Sequence, residues 1–279
     1  MKIFTHISEI QSYLRELRSK GNTIGFVPTM GALHEGHLAL IKQAKNETDQ
    51  VVCSIFVNPL QFNRKEDLDN YPDRLLQDRS MLENEHCDIL FLPVTEEMYP
   101  DTPPLEFAFG TVGIGMEAKH RPKHFEGVAA VINRFFEILE PTVAYFGEKD
   151  YQQLAIVKWL VKEKKFKTEV VGCDTIRFES GLAMSSRNYL LVEKDLKIAS
   201  QIYEALQYCK LNTENYEPKE LAKRCFSMLQ DKFSPEYFTI VDEESMVPLN
   251  KWSDSQRPRA FVAAYLSSVR LIDNLSLNP

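Results

Sequence analysis

The sequence predicts an α/β protein, a Rossmann-like doubly wound parallel sheet joined to a second, smaller α+β domain. Three observations predict it. Apolar, strand-like runs recur at 23–27, 51–57, 88–92, 143–146 and 169–173, with helical patterns between most of them; strands separated by helices make a parallel sheet covered on both faces. Polar clusters stand just past several strand ends, where open parallel sheets bind ligands beside the point at which strand order reverses. After Arg187 the pattern changes to helical stretches at about 193–209 and 218–232, followed by strand-like segments at 237–242 and 260–266. The boundary is drawn between 1–182 and 183–279, and 279 residues suit two domains better than one core.

The first strand, 23–27, leads into Pro28-Thr29-Met30-Gly31-Ala32-Leu33-His34-Glu35-Gly36-His37, and residues 38–44 continue with helical spacing. The glycines and histidines therefore fall near a helix N-terminus. Unpaired backbone N–H groups there favour anions. Positions i and i+3 share a helix face, so His34 and His37 can present imidazole N–H groups to the same phosphate oxygens. Other readings of the segment fail on residue identity. His37 and Leu38 stand where a phosphate loop needs Lys and Ser/Thr, and a zinc-protease helix needs histidines four apart. No cysteines lie nearby at zinc-ligand spacing. An isolated His-x-x-His is most often two unrelated helix residues, so the pair needs support from elsewhere.

Asn58-Pro59-Leu60-Gln61 follows the second strand. The segment 95–115, with Pro100, Pro103 and Pro104, is turn-rich and reads as a loop or flap. His120-Arg121-Pro122-Lys123-His124 concentrates positive charge, though alone such a cluster reads as a solvated surface loop. Gly110, Gly113 and Gly115 do not make the dinucleotide fingerprint and follow no strand, so NAD is not favoured. Past the fourth strand, Gly147-Glu148-Lys149-Asp150-Tyr151-Gln152-Gln153 offers a cation for phosphate, a carboxylate for ribose hydroxyls and two amides. The same residues also read as a helix start, with Asp150 as N-cap and Gln153 closing a capping box. Residues 162–167 read as the polar end of a helix. Met184-Ser185-Ser186-Arg187-Asn188 adds two hydroxyls and a guanidinium, although alone it is ordinary loop composition.

Composition limits the function classes. Hydrophobic residues make up 44% of the chain, which supports a globular protein. The net charge of −7 disfavours nonspecific nucleic-acid binding, so an anionic substrate must find local positive charge. Met1-Lys2-Ile3-Phe4-Thr5-His6 lacks the apolar run of a signal peptide, and no segment is long and uncharged enough to span a bilayer. A cytoplasmic enzyme without membrane partners is expected. Cysteines at 53, 87, 173, 209 and 225 are scattered and odd in number, so they read as reduced, mostly buried thiols.

Taken jointly the clusters are far more specific. The series 28–37, Ser-Ile-Phe-Val-Asn-Pro-Leu-Gln-Phe (54–62), Arg-Pro-Lys-His-Phe-Glu-Gly-Val (121–128), Phe-Gly-Glu-Lys-Asp-Tyr-Gln-Gln-Leu (146–154), Gly-Leu-Ala-Met-Ser-Ser-Arg-Asn (181–188) and Arg-Leu-Ile-Asp-Asn (270–274) closely resembles the pantothenate synthetase, or pantoate–β-alanine ligase, family. The match runs in order over essentially the whole chain. The first and fifth segments resemble the His-x-Gly-His and Lys-Met-Ser-Lys-Ser signatures of the wider nucleotidylyltransferase superfamily; the middle ones narrow it to one enzyme. Two departures stand out. Tyr71-Pro72-Asp73 replaces the usual Tyr-Pro-Arg, with Arg74 one place later, and Cys173-Asp174 replaces a more usual Val-Pro.

The resemblance implies ATP as a substrate together with Mg²⁺, whose protein ligands stay unassigned. It implies that Met30, Gly31, Ala32, Leu33, His34, Glu35, Gly36 and His37 lie against ATP, with both histidines on the phosphates. Gly147 and Asp150 are implied at the ribose, Lys149 on the phosphates, Ile176 on the adenine, and Ser185, Ser186 and Arg187 along the α- and β-phosphates; Glu148 and Met184 belong to the same ATP-binding set. Gln61 and Gln153 are implied on pantoate, Gln61 also near β-alanine, with Asn58, Arg121 and His124 bordering that end. The implied chemistry is adenylation of pantoate followed by attack of β-alanine, with His37, His34, Lys149, Ser185, Ser186 and Arg187 meeting the charge that develops. An imidazole at a helix N-terminus tends to stay neutral, so His37 acts more naturally as a hydrogen-bond donor. A homodimer is also implied. Two other classes stay open at this point: a nucleotidylyltransferase that keeps AMP on its product, and a non-enzymatic adenine-nucleotide sensor.

Overall fold

Ile24, Phe26 and Val27 have no solvent exposure, and they sit on the central strand of a six-stranded sheet. The computed structural model describes residues 1–62, 65–101 and 105–278. By their contacts these form two compact units. The first comprises Met1–Phe109, Arg121–Glu148 and Gln153–Asp174; the second comprises Gly110–His120, Lys149–Gln152 and Thr175–Pro279.

In the first unit β1 (Lys2–Phe4), β2 (Ile24–Thr29), β3 (Gln50–Ile55), β4 (Ile89–Phe91), β5 (Val143–Gly147) and β6 (Glu169–Cys173) pair in parallel in the order β1-β4-β3-β2-β5-β6. The order runs outward from β2 through β3 and β4 on one side and through β5 and β6 on the other. The reversal therefore falls between β2 and β5, and a ligand crevice is expected at their carboxyl ends. Those ends are Thr29 and Gly147.

Helices α1 (Ile7–Ser19), α2 (Glu35–Glu47), α3 (Lys65–Asp69), α4 (Leu75–Asn84), α5 (Thr95–Met98), α6 (Met116–His120), α7 (His124–Leu139) and α8 (Tyr151–Lys164) connect the strands. Successive strand side chains point to opposite faces. Phe26 meets Phe135 of α7 at a tilt and Phe136 edge-on, whereas Val27 packs with Leu40, Ile41 and Ala44 of α2. Both faces of the sheet are thus covered, which is why its strands read as continuous apolar runs. Helix α7 is buried along most of its length. A Cβ on its Gly127 would lie 2.3 Å from the Leu60 carbonyl oxygen, so only glycine allows α7 this close to the turn after β3.

The second unit carries an antiparallel sheet of β7 (Ser234–Asp242), β8 (Pro258–Leu266) and β9 (Val269–Ser276). Helices α10 (Gln201–Leu211) and α11 (Pro218–Leu229) bury Leu206, Cys209, Leu221 and Cys225 against Ile240, Val262 and Leu271. A short α9 (Glu193–Ala199) precedes them.

The predicted class is the observed one: a doubly wound parallel sheet with a smaller α+β part. Two strands were not expected. β1 has three residues and none of them is fully buried, so no apolar run marks it, unlike the equally short β4, which is buried throughout. In β9 the apolar run is broken by Arg270, Asp273 and Asn274, all of which are tied into polar networks. The segment 95–115 also needs correcting, since it contains α5 and a 3-10 turn at Gly110–Gly113; Pro103 and Pro104 lie outside the described residues. All five cysteines are free and buried, as expected. No described helix is long and apolar enough to cross a membrane.

Candidate active site

In the first unit β2 hands the chain to a tight loop. Gly31 and Ala32 both take positive φ, 82° and 51°, a conformation alanine adopts only at a cost. Asp78 on α4 offsets that cost: Oδ2 accepts from Ala32 N–H and Oδ1 from Leu33 N–H, each at 2.8 Å. Thr29 Oγ1 accepts from Gly31 N–H at 3.2 Å and donates to the Ser54 carbonyl. Burial raises the Asp78 carboxyl above its usual range, and the two backbone N–H groups pull it back in part.

His34 is the N-cap of α2. Its Nδ1 accepts from Gly36 N–H at 3.1 Å, and His34 N–H in turn donates to His37 Nδ1 at 3.3 Å. The rings lie 4.1 Å apart between centroids. An Nδ1 that accepts from a backbone N–H carries no hydrogen, so each neutral ring has its hydrogen on Nε2. This amends the sequence expectation: the N–H groups of Gly31, Ala32, Leu33 and Gly36 are taken by Thr29, Asp78 and His34. The two imidazoles, both in the same tautomer, are side-chain donors of this loop.

The turn after β3 is built on Asn58, which is 1% exposed. Its Nδ2 donates to the Gly127 carbonyl at 3.0 Å and to Gln61 Oε1 at 3.1 Å, and its Oδ1 accepts from Tyr99 Oη–H and Leu60 N–H. Gln61 Nε2 lies 2.7 Å from Met30 Sδ, and His124 Nδ1 lies 2.9 Å from the Gln61 carbonyl oxygen. Met30, Asn58, Gln61 and His124 are therefore one cluster. A thioether is a weak acceptor, so a substrate oxygen would displace it from Gln61 at little loss. His124 is buried at the start of α7, while Pro122 and Lys123 are exposed; the basic cluster is only in part a solvated loop. Arg121 is half-buried beside them, Glu35 is exposed, and Gly147 and Glu148 are half-buried at the end of β5. Gln153 is half-buried in the first turn of α8.

In the second unit Lys149, Ser185, Arg187 and Asn188 line one concavity of about 310 Å³, its open mouth included. Ser185 caps the 3-10 turn Ser186–Leu190, Oγ accepting from Arg187 N–H, and Ser185 N–H donates to Asn188 Oδ1 at 2.6 Å. Ile176 and Met184 adjoin through Met184 N–H to the Ile176 carbonyl at 2.9 Å. Lys149 Nζ lies 3.8 Å from Asp150 Oδ2. Arg177 makes a two-pronged bond to Asp273, at 2.6 and 3.0 Å, and stacks on Tyr203. Burial raises the Asp273 carboxyl, against the pull of Arg177. Asn274 Nδ2 donates to the Lys149 carbonyl at 2.9 Å, while its Oδ1 accepts from Arg259 at 2.6 Å.

Among the described residues no group of three or more His, Cys, Asp or Glu is placed to hold a metal ion.

The sequence profile of the pantoate-beta-alanine ligase family matches residues 2–276. The chain belongs to the pantoate–β-alanine ligase family. It is 42% identical to the pantothenate synthetase of Cytophaga hutchinsonii over 97% of both chains, and 41% identical to that of Flavobacterium psychrophilum over 99% of this chain and all of the other. The crystal structure of pantothenate synthetase from Thermus thermophilus superposes with a TM-score of 0.91 at 40% identity over the full length of both. The ligase from Francisella tularensis, complexed with β,γ-ATP and β-alanine, gives 0.80 at 39% identity over 99% and 98% of the two chains.

Within this ligase fold the motif residues are spread over both units. Met30 to His37, Asn58, Gln61, Arg121, His124, Gly147, Glu148 and Gln153 belong to the first unit; Lys149, Asp150, Ile176, Met184, Ser185, Ser186 and Arg187 belong to the second. Asp78, Thr29, Asn188 and Asn274 were given no role from sequence, although they fix residues that were, and Gln152, read only as one of two amides after the fourth predicted strand, is a structural residue. Gln152 is 2% exposed and its carboxamide holds Glu117 N–H and the Val112 carbonyl, a pairing no local pattern displays.

Proposed function

We propose that this chain makes pantothenate from (R)-pantoate and β-alanine, converting ATP to AMP and pyrophosphate through a pantoyl adenylate. The observation that carries the reading is the His34–His37 pair, two imidazoles locked as Nε2–H donors beside a cluster that contains Gln61. Family membership gives the reaction its substrates.

A pantoate carboxylate oxygen attacks the α-phosphorus of ATP, the bond to the β-phosphate oxygen breaks, and pyrophosphate leaves. The nucleophile belongs to the substrate, so the protein's work is positioning and charge stabilisation. His34 and His37 donate to phosphate oxygens, joined by Lys149, Ser185, Ser186 and Arg187. Met30 to Gly36 shape the loop against the nucleotide. Gly147 and Asp150 take the ribose side and Ile176 the adenine, with Glu148 and Met184 also against the nucleotide. Gln61 and Gln153 hold pantoate, Arg121 and His124 border it, and Asn58 acts through Gln61. ATP arrives as its Mg²⁺ complex. In the second half-reaction the β-alanine amine attacks the mixed-anhydride carbonyl, the C–O bond to AMP breaks, and the amide forms. The reading includes a cytoplasmic homodimer with functional domains at 1–182 and 183–279.

The test is to incubate the protein with ATP and pantoate, omitting β-alanine. A trapped pantoyl adenylate by mass spectrometry, with pantoate-dependent exchange of pyrophosphate into ATP, is expected. Exchange that ignores pantoate would overturn the reading.

A further inference from the structure

Asn188 is 7% exposed, and its Nδ2 has no hydrogen-bond partner among the described residues. Its orientation is fixed, because Oδ1 accepts from Ser185 N–H at 2.6 Å and a flipped amide would set two donors against each other. A buried donor left without an acceptor is costly, and native proteins keep few of them. Asn188 lines the same concavity as Lys149, Ser185 and Arg187. Asp273 lines it as well, but both of its carboxylate oxygens are engaged by Arg177.

We propose that Asn188 is a further nucleotide-binding residue, its Nδ2–H₂ donating to a phosphate oxygen of ATP. The assignment rests on the ATP-dependent reading above. The chemistry of the concavity favours the ligand: an amide donor needs an acceptor oxygen, and a lysine and an arginine beside it favour one that carries negative charge. The cap and the ligand contact use different atoms of one carboxamide, Oδ1 for the 3-10 turn and Nδ2 for the phosphate. Asparagine is therefore required where a capping box alone would equally accept a carboxylate at this third position.

That division of labour sets the test. Asn188→Asp keeps the acceptor for Ser185 N–H and turns the donor into a second acceptor facing the phosphates. ATP and adenosine binding are measured by calorimetry on wild type and Asn188→Asp, with melting temperatures of the unliganded proteins. The expected result is an unchanged melting temperature, unchanged adenosine affinity, and ATP affinity weakened about 10- to 100-fold. ATP affinity equal to wild type would overturn the assignment. So would parallel losses of melting temperature, adenosine binding and ATP binding, which mark a purely structural cap. Wild type that fails to bind ATP would sink the ATP-dependent reading itself; wild type that binds and turns over while Asn188→Asp matches it removes only Asn188.

Discussion

Asn274 Nδ2 donates to the main-chain carbonyl of Lys149 at 2.9 Å, so a lysine expected on the phosphates is anchored by a strand residue 125 positions away. The asparagine is itself oriented, since Arg259 Nη1 donates to its Oδ1 and Arg259 is fixed by Glu243 at 2.8 Å and by stacking on Tyr151. Asn274→Ala removes the anchor and leaves the lysine in place. Pyrophosphate release in a single turnover should slow about tenfold, the equivalent of one hydrogen bond's worth of positioning. An unchanged rate would remove Asn274 from the account.

Asp78 offers a second test of positioning at a distance. Its two oxygens satisfy the N–H groups of Ala32 and Leu33 in a loop whose backbone is strained. The carboxamide introduced by Asp78→Asn could accept from only one of them and would turn its own amide donor toward the other. The loss should be about 1–3 kcal/mol in thermal or denaturant stability, with weakened ATP binding. Unfolding curves and calorimetry check both, and a variant as stable as wild type would contradict the role.

The tautomer of His37 predicts an unequal response to amide substitution. Glutamine can place an amide N–H near the position of Nε2, whereas the shorter asparagine reaches only that of Nδ1. His37→Ala and His37→Asn should lower adenylate formation by about 10²–10³, the usual loss for one transition-state donor, with His37→Gln retaining more. Equal losses in the asparagine and glutamine variants, read by pyrophosphate release, would argue against an Nε2–H donor.

Stability should also depend on pH through the edge of the first unit. Glu97 hydrogen-bonds His6 Nδ1 at 2.6 Å and raises the imidazole's pKa above its ordinary value. A base whose folded pKa is raised stabilises fully below its unfolded value and loses that contribution as pH climbs through the folded one. The melting temperature of His6→Ala should therefore fall below wild type at about pH 6 and converge with it on the alkaline side. A gap that persists unchanged at about pH 9 would refute the linkage.

Much of this was legible in the sequence. The parallel strands β2 to β6 announced themselves as apolar runs because helices cover both sheet faces, and His34, His37 and Gln61 declared themselves by standing where such strands end. What stayed hidden was long-range. Asp78 looks like any acidic residue on a surface helix until α4 folds it under the loop 31–33. Strand β9 was missed because Asp273 and Asn274 interrupt its hydrophobic pattern, and the same two side chains brace Arg177 and Lys149. Asn188 was visible as part of a loop, but its orphaned Nδ2 could be found only once Oδ1 was seen to be engaged.

The central claim is that acid and amine are joined while AMP departs free. The most direct measurement is product analysis by chromatography with ATP present and pantoate or β-alanine omitted in turn. Free AMP and pantothenate in equal amounts, formed only when both are present, are the predicted result. A product that retains AMP, or AMP released without pantoate, would contradict the account.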